Sequence, residues 1–235
     1  MTRTLLLTFL LGGVAAVDAT PVAQTLFSQP LVTSALLGWW WGDWKTALEV
    51  GIVLQLLAAS TLPVGARTPE DYATGGVIGT GLALSLAGQE PFEMSRASSA
   101  LLGVLAGLVT AKLSVPLLKW QRRRNESLAR WCEAELRAGH ERALGQAQWA
   151  GVVLAFGVGV GFTALALGLG TRTLHGLVAN QSLRLSRAWA IAQPLWLGLG
   201  LAQLLQAFLQ RRLARAALFG LALLSAWLFL VVRTP

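Results

Sequence analysis

Residues Pro30–Leu84 read PLVTSALLGWWWGDWKTALEVGIVLQLLAASTLPVGARTPEDYATGGVIGTGLAL. The stretch is strongly apolar, yet nothing in it is long enough to cross a bilayer alone. A hydrocarbon core about 30 Å thick takes about 20 helical residues to span. The apolar pieces here, Leu31–Trp41, Ala47–Leu62 and Ala73–Ala87, fall short of that length. They are separated by Gly42-Asp43, Lys45-Thr46, Pro63, Gly65, Pro69 and Asp71, and Gly51, Gln55 and Gly79-Thr80 interrupt them from within. An ionisable side chain in hydrocarbon costs about 2.5–3.5 kcal/mol on insertion scales, so such groups face a cavity, a partner or the interface. Short, interrupted apolar segments also mark broken helices whose ends line a binding site.

The surroundings set the solvent. Runs of about 20 largely apolar residues, the length that spans, occur at Ala97–Pro116, Trp149–Gly170, Ala188–Leu209 and Leu213–Val232, with a shorter one at Leu5–Val17. Hydrophobic residues make up 54% of the chain, charged ones 13%, and the mean hydropathy is +0.58. A soluble domain carries about 25% charged residues. The predicted fold is an all-α integral membrane protein: a polytopic helical bundle with re-entrant or broken helices in its N-terminal third. The bilayer is its first partner. The first 19 residues fit either a secretory signal peptide or a retained membrane helix. Asp18, inside the would-be cleavage site, favours the helix.

A net charge of +8 does not point to nucleic acid. The basic residues gather between apolar runs, at Lys119, Arg122–Arg124, Arg130, Arg137 and Arg142, then at Arg211, Arg212 and Arg215. That is the positive-inside pattern of cytoplasmic loops, and no soluble aromatic-interleaved surface accompanies it. The ten tryptophans suit the membrane–water interface. The chain divides into a membrane region 1–118, a cytoplasmic connector 119–148, and C-terminal membrane helices 149–235. In the connector Leu128, Trp131, Cys132, Leu136 and Ala143-Leu144 recur at helical spacing among Arg and Glu, as in an amphipathic helix that lies on the cytoplasmic surface or extends a membrane helix. Farther on, Gly157, Gly159, Gly161, Gly168 and Gly170 are expected to let helices approach closely. Pro194 is expected to kink its helix. With Lys119–Gln148 inside, Arg172, Arg184 and Arg187 fall outside, so either that loop re-enters the membrane or the rule is violated.

Several chemistries are excluded. Cys132 is the single cysteine, so neither an intrachain disulfide nor a thiolate metal cage can form. His140 and His175 are far apart in sequence, and none of the three lysines follows a GxxxxG run, so a P-loop is absent. No catalytic residues, metal site or cofactor are expected. A coupling loop for an ATP-driven importer is not supported, because no Ile-x-Leu-Pro follows Glu133-Ala134.

Six spaced elements of the quoted stretch carry a family resemblance. They are Pro30-Leu31, Gly42-Asp43-Trp44-Lys45-Thr46, Gly51 through Gln55-Leu56, Pro63-Val64-Gly65, Pro69-Glu70-Asp71 and Gly79-Thr80. In this order they resemble the membrane C component (IIC) of mannose/fructose/sorbose-class phosphotransferase systems. Asp18 and Gln24 have plausible counterparts upstream. The resemblance implies a fold with re-entrant hairpins in a bacterial cytoplasmic (inner) membrane. It also implies a homologous D component (IID), an assembly of several C–D pairs, and cytoplasmic A and B components (IIA and IIB) that carry the phosphoryl group. A sugar would pass through the C–D pair in an elevator-like step, without chemistry on this chain. A regulatory or scaffold protein that retains the fold but not transport is the alternative.

A hexose offers hydroxyls that pair with carboxylate acceptors and amide groups. Asp43, Gln55 and Asp71 are the leading substrate-binding candidates, followed by Asp18, Gln24, Lys45 and Glu70. Each has a structural reading as well. Asp43 and Asp71 could cap helices, Lys45 could neutralise Asp43 or reach the interface, and Gln55 could hydrogen-bond between helices. Pro63, Gly65 and Pro69 are expected to shape a re-entrant turn. Trp39–Trp41 could stack on a sugar face, anchor the chain at the interface or contact the partner subunit.

Overall fold

The interruptions in the Pro30–Leu84 stretch are helix ends. In the computed structural model the helices run in the order α1 (Thr2–Ala19), α2 (Pro30–Trp41), α3 (Trp44–Ala58), α4 (Tyr72–Ala87), α5 (Arg96–Leu113), α6 (Val115–Arg137), α7 (Ala143–Val178) and α8 (Ser182–Phe208). A single 3₁₀ turn, Leu26–Ser28, precedes α2, and no strand occurs among the described residues. The structure describes residues 2–19, 22, 25–59, 70–87, 96–178 and 181–208, with a few helical residues between 216 and 227. Gln24, Pro63, Gly65 and Pro69 lie outside the described residues.

Local sequence explains the α2–α3 hairpin. Pro30 occupies the first turn of α2, where its missing N–H costs nothing. Gly42 ends α2 at φ 76°, a left-handed conformation open to glycine without a Cβ penalty. Asp43 then caps α3, accepting from Thr46 N at 3.3 Å and Thr46 Oγ1 at 2.7 Å. With 12 and 15 residues, α2 and α3 extend about 18 and 22 Å, too little to cross 30 Å of hydrocarbon. Among the described residues, three stretches are long and apolar enough to cross: Arg96–Arg137, Ala143–His175 and Ser182–Leu205.

Around the hairpin, α4 is the hub. Every residue from Ala73 to Leu86 is buried, which only a helix surrounded by other helices achieves. Its glycines make the enclosure possible. A Cβ on Gly79 would lie 2.5 Å from the Gly103 carbonyl oxygen of α5, and one on Gly103 would lie 2.6 Å from the Gly79 carbonyl oxygen. Two backbones therefore touch where side chains would hold them apart. One apolar cluster joins α3, α4, α5 and α8 through Val50, Leu54, Ala83, Val104 and Trp189. A second joins α1 to α4 through Leu11, Leu37, Ala47 and Val77. Ser34 and Thr80 share a buried hydroxyl bond of 2.7 Å between α2 and α4.

Of the α7 glycines expected to pack closely, Gly159 does so against Gly12 and Ala16 of α1, and Gly170 approaches Leu82. Gly157, Gly161 and Gly168 meet nothing within 4 Å among the described residues. Pro194 lies inside α8, whose helical assignment continues unbroken across it. The 119–148 region is not one element. Lys119–Arg137 continues α6 from a joint with α5 at Ser114–Pro116, a turn follows at Gly139 (φ 89°), and Ala143–Gln148 opens α7.

Candidate functional site

The open end of the α2–α3 hairpin, opposite the Gly42 turn, is where polar side chains meet. Gln55, late in α3, donates through Nε2 to Gln29 Oε1 at 2.7 Å. Its Oε1 accepts from Leu31 N at 3.2 Å. The amide thus ties the end of α3 to the beginning of α2. Next to it stands the N-terminus of α4. Asp71 caps that helix through Thr74 N at 3.1 Å and through the Thr74 hydroxyl, while its own N–H donates to Ala111 O at 3.1 Å. Glu70 pairs with Lys112 of α5 at 3.9 Å.

These groups border a cavity of about 580 Å³. One wall carries Gln29, Gln55, Glu70 and Asp71. The α5–α6 joint and the first turns of α6 add Ser114, Gln121, Arg122 and Asn125 to its lining. Ala16 of α1 and Gly159 and Phe162 of α7 close it with apolar surface. A concave space of this size, mostly apolar with a few convergent polar groups, is how small-molecule sites are built.

The remaining candidates are elsewhere. Asp18 accepts from Thr25 N and Thr25 Oγ1, both at 2.6 Å, and from Ser28 N at 2.7 Å. It fastens the segment leading into α2 and borders an apolar recess between α1 and α7. Asp43 caps α3 and pairs with Arg96 of α5 at 3.4 Å. Twelve residues along α3 separate it from Gln55, about 18 Å. Lys45 is exposed beside that turn and does not border the cavity. The structure therefore brings Gln55, Glu70 and Asp71 together and sets Asp18, Asp43 and Lys45 apart.

Sequence reasoning missed Gln29, Gln121 and Asn125. Gln29 carried a signal, since it immediately precedes the Pro30-Leu31 element. The two α6 residues carried none, being polar positions in a helix full of polar positions. Among the described residues, no group of three or more His, Cys, Asp or Glu side chains is placed to hold a metal ion.

Comparison with known proteins gives the fold a family. A solved structure described only as a membrane protein superposes with a TM-score of 0.67 at 19% identity, over 97% of this chain and 96% of the other. The mannose transporter ManYZ, solved in complex with microcin E492, gives a TM-score of 0.63 at 16% identity, over 97% of this chain and 95% of the other. At these identities the likeness is one of fold. No curated protein matches. The sequence profile of the PTS system sorbose-specific IIC component matches residues 2–232, nearly the whole chain. The chain belongs to that family: it is a multi-pass membrane protein and a IIC component of a phosphotransferase-system sugar permease.

Proposed function

We propose that this chain is the membrane-translocating C subunit for a hexose-type sugar, and that the sugar sits in the cavity at the open end of the α2–α3 hairpin. The observation that carries the reading is the meeting of Gln29, Gln55, Glu70 and Asp71 around one cavity in an otherwise apolar bundle. Ring hydroxyls both donate and accept, so amides and carboxylates at a largely apolar wall match a sugar's edge and faces. The volume lies within the roughly 300–1,000 Å³ of small-molecule sites.

An elevator-like step fits a hairpin too short to span. The Gln55 amide closes on Gln29 and Leu31 within the hairpin. A shift of the hairpin as a unit would have to break the Ser34–Thr80 bond to α4, the Trp41–Thr8 bond to α1 and the Asp43–Arg96 pair to α5. The sugar would pass to a cytoplasmic B component charged by an A component. A homologous D component would complete the membrane assembly, with several C–D pairs together, in a bacterial inner membrane.

Uptake of labelled hexoses in cells with and without the gene tests this reading. Phosphoenolpyruvate-dependent uptake of at least one sugar should be lost in the deletion strain. It should fall about tenfold or more in Gln55→Ala and Asp71→Ala, because each substitution removes a polar side chain that borders the cavity and the bonds that fix its helix there. Undiminished uptake in the deletion strain would overturn the function. Unchanged uptake in both variants would overturn only the placement of the sugar.

A further inference from the structure

Among the cavity's buried polar side chains, one on α6 makes no bond to the rest of the described protein. Both ends of the Gln55 amide are engaged, its nitrogen by Gln29 and its oxygen by Leu31. Each Asp71 oxygen accepts from Thr74. The Ser114 hydroxyl is spent on Ala111 O at 2.8 Å. Gln121 differs. It is 5% exposed, it borders the cavity, and no described residue hydrogen-bonds its side chain. Nor are its polar atoms sealed in protein. The sealed side-chain atoms without a partner, among the described residues, are Thr163 Oγ1 and Gln203 Oε1. The Gln121 amide therefore opens onto the cavity.

A buried amide without a partner costs as much as a lost hydrogen bond, so native proteins pair such groups with protein, water or ligand. One turn farther along α6, Asn125 borders the same cavity. Residues four apart stack on one helix face with Cβ atoms about 6 Å apart, so the two amides form a short polar ladder. Each amide offers one acceptor and two donors and no charge, which suits neutral hydroxyls rather than phosphate or carboxylate.

The geometry points to Gln121, with Asn125 beside it, as a specificity-determining contact to the ring hydroxyls of a neutral sugar, so that α6 supplies the second half of the site. This rests on the proposed function and adds to it. The hairpin's groups hold their helices in place as they border the sugar, and α6 adds a contact that discriminates among sugars. A connector that reads as solvated surface is, over its first turns, a wall of the binding site.

The test is equilibrium binding of labelled mannose, glucose, fructose and sorbose, and of the monodeoxy analogues of whichever binds. It uses the full chain with its membrane partners in nanodiscs, for wild type, Gln121→Leu, Gln121→Met and Asn125→Ala. Wild type should bind at least one of the four. Gln121→Leu and Gln121→Met should both bind it about tenfold more weakly, the factor of one ordinary hydrogen bond. They should melt no lower than wild type, because no described residue hydrogen-bonds the amide they remove. One monodeoxy analogue, penalised by wild type, should no longer be penalised by either variant. Wild-type affinity in both variants overturns the assignment, as does a parallel fall in affinity and melting temperature, which marks a packing role. A wild type that binds none of the four sugars overturns the proposed function itself, a result separable from the others.

Discussion

At the scale of single residues, the carboxylates divide by what they hold. Asp18 was a reasonable substrate candidate, since an acid near an apolar run is costly unless something pairs with it. Its three short bonds to Thr25 and Ser28 supply that reason locally. Asp18→Ala should therefore lower stability by about 1–2 kcal/mol, toward the lower part of the range for bonds to a charged acceptor because the site is at the end of the bundle. Thermal melts in detergent would measure it, and the KM for uptake should change less than twofold. Normal melting with a tenfold higher KM would return Asp18 to the substrate site. Gln55 was legible because an amide in the middle of an apolar run stands out. Gln121 was not, because eight arginines and glutamates on the same helix mask it, at 122–124, 126, 130, 133, 135 and 137. Only the packing of α6 on its neighbours tells which polar residue faces inward.

Among the elements, the α2–α3 turn could be read directly. Gly42, Asp43 and Thr46 are a helix stop, a cap and its acceptor's partner in the order that local geometry demands. The role of α4 could not be read, because nothing in YATGGVIGTGLALSLA says that all its faces are covered. Its glycines have value only in contact with a second helix, a tertiary fact. They also yield a sharp contrast. Gly79→Ala should destabilise by about 1–3 kcal/mol, the range for overpacking a filled interior, because the new Cβ meets the Gly103 carbonyl. Gly161→Ala should be neutral or stabilising by up to about 1 kcal/mol, since that glycine meets nothing within 4 Å and alanine is the better helix former. Melting temperatures of the two purified variants decide this. Equal losses would mean that α4 and α5 do not approach as closely as their backbones indicate.

For the whole molecule, the helix order fixes which groups share a side of the membrane, and charge then says which side. The Gln29–Gln55 bond, the Asp71–Ala111 bond and the α5–α6 joint mark one end of the bundle. The Gly42 turn, the Asp43–Arg96 pair and the contact of Ser98 Oγ with Ser182 O at 2.6 Å mark the other. Arg122, Arg123, Arg124, Arg130 and Arg137 of α6 stand at or beyond the first end, with Lys45, Arg96, Arg172, Arg184 and Arg187 toward the second; the denser α6 cluster is expected to face the cytoplasm, and with it the cavity's α6 wall. With 36 residues α7 is about 54 Å long, enough to cross and still project alongside α6 toward the Gly139 turn. Exposed positions at the two ends, His140 and Lys45, should then lie on opposite sides. In a Cys132→Ala background, a membrane-impermeant maleimide should label Lys45→Cys in intact cells and His140→Cys only in inverted vesicles. Labelling of both from one side would contradict the helix order, whereas a clean reversal would keep the order and invert the orientation. The expected pattern puts the polar end of a non-spanning hairpin at the cytoplasmic face, where a sugar held between Gln55 and α6 would be within reach of a soluble phosphoryl donor.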